Sequence, residues 1–90
     1  MTQSVWKFPL QIAETTVLTM PRNAVILHVG EQHGAPQMWA LVNRAAVSEE
    51  RRFITVGTGN VVPESISAFY IGTYQLLGGD IVFHVFEDKK

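Results

Sequence analysis

Ninety residues suffice for one small hydrophobic core and are too few for two, so residues 1–90 are expected to form a single domain. With 47% hydrophobic and 17% charged residues and a formal net charge of −1, the chain has no diffuse field to draw it to nucleic acid in general or to a membrane surface. The lack of cysteine excludes disulfides, thiolate catalysis and thiolate metal sites together.

No apolar run approaches the roughly 18 residues needed to cross a bilayer, and the opening MTQSVWKFPL has no basic-then-apolar order, so a cytosolic protein is expected. Gly or Pro falls about every ten to fifteen residues with short apolar runs between, which is β punctuation.

The first run, Val5 to Leu10, places Trp6, Phe8 and Leu10 on one face, and Pro9 marks an edge strand or strand end because it has no amide to donate. Thr15 to Met20 is rich in β-branched residues and stops at Pro21, with Arg22 and Asn23 suited to a turn. Ala24 to Gly30 and Gln37 to Val42 read as a hairpin around a loop from Glu31 to Pro36. Within it His28 falls in phase with Ala24 and Ile26, which makes it a partly buried strand residue or the polar end of a face, and His33 sits in the solvated loop.

Asn43 to Glu50 is the most polar stretch and too short for a stable helix, so it reads as a connection. Arg51 to Val56 is the next strand, ended by Gly57-Thr-Gly-Asn60. Pro63 to Ala68 allows one or two helical turns, since proline at the first position and Glu64 after it suit a helix start. The whole is expected to be all-β: a small antiparallel sandwich or partly open barrel of about seven strands. Trp6 and Trp39 read as core residues, with an interface anchor as the alternative.

The closing stretch, TYQLLGGDIVFHVF, folds back on Gly78-Gly79. That turn pairs Leu77 with Asp80, Leu76 with Ile81, Gln75 with Val82, Tyr74 with Phe83 and Thr73 with His84. One face then carries Tyr70, Tyr74, Leu76, Ile81, Phe83 and Val85 as core. The other carries Thr73, Gln75 and His84 beside Ile71, Val82 and Phe86; it is a solvated sheet face, a protein interface or a shallow ligand site.

Chemistry is sparse. The three histidines have no ligand spacing, so no metal and no cofactor is expected. Ser48, Ser65 and Ser67 lack nucleophile-elbow glycines, and Glu49, Glu50 and Glu64 lie in polar connections, so no enzyme is expected. Gly57-Thr-Gly-Asn60 is not a full phosphate loop, but Thr58 and Asn60 with Arg51 and Arg52 nearby form a candidate anion site. Thr73, Gln75 and His84 form the second candidate set.

Several stretches together resemble a family of short proteins of unknown function encoded by bacteriophages and prophages. They are VWKFPL at the start, Trp39-Ala-Leu-Val42, Gly57-Thr-Gly59, and the ending from Tyr70-Ile-Gly-Thr-Tyr-Gln75 through Gly78-Gly79 to Glu87. The resemblance implies a phage accessory protein in the bacterial host cytoplasm and carries no catalytic residues. The expected function is therefore binding: a homo-oligomer acting in counter-defence by sequestering a host protein or a nucleotide-type signal. The alternative is a virion or assembly component.

Overall fold

The computed structural model describes residues 2–64 and 68–89. Seven strands, β1 (Gln3–Pro9), β2 (Thr15–Pro21), β3 (Val25–Gln32), β4 (Ala35–Asn43), β5 (Ser48–Gly57), β6 (Ala68–Leu76) and β7 (Ile81–Asp88), form two antiparallel sheets. One sheet has the order β1-β4-β3 and the other β2-β5-β7-β6, and together they make a small sandwich that does not close into a barrel. The least dimension of the chain trace is 15 Å, room for two sheets about 10 Å apart and no third layer.

The burial pattern follows the strand period. In β4, Pro36, Met38, Ala40 and Val42 are buried while Gln37, Trp39 and Leu41 between them are half-buried. The largest wholly buried side chains, Phe53, Met20, Met38, Val42 and Val85, come from both sheets and meet between them. Pro9 ends the edge strand β1, where no donor is required. Pro36 lies opposite the point where β1 has ended: its carbonyl accepts from the Leu10 N–H at 3.1 Å, so its donor-less nitrogen faces the same vacant side.

Trp39 stands half-buried on the outer face and Trp6 is 40% exposed on the edge strand β1, so neither is the core residue expected, and four further expectations about the strands are corrected. The β3–β4 loop is only His33-Gly34, and Glu31, Gln32, Ala35 and Pro36 belong to the strands. Both turn residues have positive φ, 55° and 81°, the conformation whose twist matches a two-residue hairpin, and the Gly34 N–H donates to the Glu31 carboxylate. β5 starts at Ser48, three residues early, because β2 offers partners back to Pro21, and Glu49 and Glu50 are therefore strand residues.

The other two corrections share a cause. A bulge at Leu27 reverses the phase of β3, so His28 stands exposed on the outer face beside Trp39, with ring centroids 5.7 Å apart. A second bulge at Ile71 shifts β6, so Tyr70 pairs with Phe86 and leaves the core face. From Thr73 to Leu76 the pairing is the expected one, with Thr73 opposite His84 and Tyr74 opposite Phe83. The turn itself spans Leu77 to Asp80, with Leu77, Gly78 and Gly79 forming a short 3-10 segment. Pro63 and Glu64 are in no helix, and the rest of the expected helical turn, residues 65–67, lies outside the described residues.

At Gly72, β6 of one sheet passes close to β3 of the other. A β-carbon there would lie 3.1 Å from the Val29 β-carbon on β3.

Candidate functional site

The first candidate set does not assemble. Arg51 and Arg52 are the fourth and fifth residues of β5, whereas Thr58 and Asn60 lie past its end, roughly 20 Å or more away at about 3.3 Å per residue. The two arginines also point to opposite faces. Arg51 points inward and forms a fork on Glu87, with Nε to Oε2 at 2.7 Å and Nη2 to Oε1 at 2.8 Å, while Nη1 donates to the Ala24 carbonyl at 2.6 Å. The hydrogen bond to Glu87, aided by the charges of Glu87 and Glu49 and opposed by burial, holds the guanidinium above its usual range. Three of the five guanidinium N–H groups of Arg51 are thus used by the fold, and Glu87 already supplies its counter-charge. Arg52 points outward and lies 3.7 Å from Asp88.

Thr58 instead joins the second set. Its Oγ1 lies 2.8 Å from His84 Nε2 and also within 3.4 Å of the Val82 carbonyl. His84 Nδ1 lies 3.1 Å from Thr73 Oγ1, which lies 2.6 Å from the Tyr70 hydroxyl. Four side chains from the turn after β5, from β7 and from β6 thus form one hydrogen-bonded chain across the outer face of the four-stranded sheet. When Thr58 donates to Val82, His84 Nε2–H donates to Thr58, Thr73 donates to Nδ1 and Tyr70 donates to Thr73; the opposite tautomer reverses the chain. The chain ends at the hydroxyl of a 61% exposed tyrosine, whose ring packs edge-on against Phe86 at 5.8 Å.

Gln75 stands apart from this chain, with its Oε1 beneath the Gly79 turn, and Asn60 turns its amide back against Gly57. The bulge that brings Tyr70 into the chain was signalled in the sequence by Gly72, since glycine inside a strand marks a bulge or a close approach. On the same outer face Ile54 and Val56 are buried, so this side of the sheet is not uniformly solvated. No carboxylate, lysine or arginine forms a hydrogen bond to the chain among the described residues, and no three histidine or acidic side chains there come together as a metal site. What the chain can do chemically is offer a directed row of hydroxyls and an imidazole for recognition.

The outer face of the three-stranded sheet was not singled out by sequence. The register lines up Val5, Leu41 and Val25 straight across β1, β4 and β3, with Trp39 next along β4 between Lys7 and His28. Val5 and Val25 are 55% and 56% exposed. Arg22 and Val47 flank this row at one end, and none of the residues that the register turns outward from the three strands is acidic.

The family model described as "Domain of unknown function (DUF7352)" matches residues 1–90. The chain belongs to this family. No curated protein and no solved structure matches the chain. Membership in the DUF7352 family thus covers the whole sandwich and both outer faces.

Proposed function

We propose that this DUF7352 protein acts by binding, as a phage accessory protein in the host cytoplasm whose target is a host protein. The observation that carries this reading is the apolar row of Val5, Leu41 and Val25 beside Trp39, on the sheet face opposite the core. A chain that functions alone gains nothing from leaving large side chains aligned across three strands in water. Lys7, which donates to Gln32 at 2.7 Å, and Arg22 border the row and form no salt bridge among the described residues, so the complementary partner has an apolar centre and an acidic rim.

Of the two sequestering roles expected from sequence, the geometry favours the protein target over the nucleotide-type signal, because Arg51 is held by Glu87 and Arg52 stands far from Thr58. Homo-oligomerisation fits the same plan. β1 is an edge strand of seven residues, and pairing two copies along it would extend the sheet and enlarge the apolar face.

The test is native mass spectrometry and cross-linking of the protein isolated gently from infected cells, wild type beside Val25→Glu and Leu41→Glu. Loss of a defined host-protein complex in both variants, with cross-links to Lys7 in the wild type, is the expected outcome. Complexes unchanged by both variants would remove the face from the reading, and recovery in purified particles would favour the virion or assembly role.

A further inference from the structure

The end of the sandwich where the β3–β4 and β6–β7 turns come together holds a groove that is separate from the apolar face just described. It has two lobes, of about 720 and 450 Å³, which share Ile12 and Phe83 as walls. Each lies within the roughly 300–1,000 Å³ range of small-molecule sites.

Three features distinguish it from a gap between loops. Leu77 on its rim has φ 53° and is 72% exposed, so a bulky side chain is kept in a conformation that glycine adopts freely, with its apolar surface in water. Thr55, which lines the smaller lobe, is 8% exposed, and its buried hydroxyl has no hydrogen-bond partner among the described residues, so a polar group at that wall is left unsatisfied. Among the described residues the charged side chains on the two lobes are Glu31 on one and Glu14 on the other, with no lysine or arginine on either. Glu31 uses Oε2 for the Gly34 N–H, which leaves Oε1 for a ligand.

We propose that this groove binds a small amphipathic amine, with an apolar or aromatic body against Phe83, Ile12 and Leu77 and an ammonium group on Glu31. The negative walls select against the carboxylate analogue of the same body.

The test uses two probes with one ring system and opposite charge, tryptamine and indole-3-propionate, titrated into the isotopically labelled full chain and followed by amide NMR shifts. Tryptamine is expected to move the amides of Ile12, Glu31, Leu77 and Phe83 and to leave those of Val25 and Leu41 in place, with the propionate about tenfold weaker or worse. Glu31→Gln keeps an oxygen for the Gly34 N–H and so keeps the turn, yet should weaken tryptamine about tenfold while strengthening the propionate, which is relieved of one like charge. Leu77→Gly should raise the thermal midpoint by relieving the backbone and weaken both probes. Equal binding of the two probes, no shift at millimolar tryptamine, shifts centred elsewhere, or unchanged affinity in Leu77→Gly would each overturn the proposal.

Discussion

Replacing Glu87 by alanine removes a carboxylate whose side chain is 6% exposed and leaves the 13% exposed Arg51 guanidinium buried without its counter-charge. Two charge-assisted hydrogen bonds are lost, at 2.7 and 2.8 Å, and only the bond to the Ala24 carbonyl remains. Hydrogen bonds to charged groups contribute about 1.5–3 kcal/mol each, and breaking a buried pair on one side costs about 3–5 kcal/mol. A domain of this size is stable by about 5–13 kcal/mol in total, so the variant loses a large fraction of its stability.

Urea unfolding followed by far-ultraviolet circular dichroism measures the loss, in a cycle of Glu87→Ala, Arg51→Met and the two replacements together. Each single variant should lose about 3–5 kcal/mol, and the apolar pair should lose distinctly less than either, because no buried charge is left uncompensated. Additive losses, or a single-variant loss below about 1 kcal/mol, would refute the view that this pair is a coupled, desolvated link between β5, β7 and the start of β3.

Gly72→Ala should destabilise by about 1–3 kcal/mol, since its new β-carbon would meet Val29 at 3.1 Å, and adding Val29→Ala should recover part of the loss in thermal denaturation. Burial raises the Tyr74 phenol above its ordinary 10.0, so its contribution is full below about pH 10 and declines as pH rises through the folded-state value. Tyr74→Phe, which removes a hydroxyl with no partner among the described residues, should abolish that part of the alkaline decline in urea midpoint; an identical decline in both proteins would count against it. His33→Gly should stabilise by a few tenths to about 1 kcal/mol, because φ 55° suits glycine, and a lower thermal midpoint would contradict the turn assignment. Leu41→Glu should change stability by less than about 1 kcal/mol while removing partner binding, which separates a surface role from a core role.

The all-β class, the strand count and most of the strands were legible because period-two alternation and turn residues act locally. The closing hairpin was legible pair by pair from Leu76 and Ile81 to Thr73 and His84, since a tight turn determines the register next to it. Legibility ended at the two bulges. Beyond Ile71 and Leu27 each strand is displaced by one residue, and the reading of Tyr70 as core and of His28 as in phase with Ile26 failed for that reason.

The candidate site was legible only in its parts. Thr58, Thr73 and His84 were chosen as hydrogen-bonding residues, but as members of two sites; it is the placement of the turn after β5 beside β7 that makes them one chain with Tyr70. Arg51 looked available for a ligand because its partner Glu87 lies 36 residues away, on a strand that only sheet order brings alongside.

The sequence by itself determined which segments extend, where they turn and which side chains within a strand share a face, because those follow from neighbours a few residues apart. Tertiary structure decided which charges are spent on the fold, which hydroxyls meet across strands, and which apolar row and which groove remain open. Those depend on sheet order, on two displaced registers and on loops meeting at one end of the sandwich, and these relations are set by packing between distant segments.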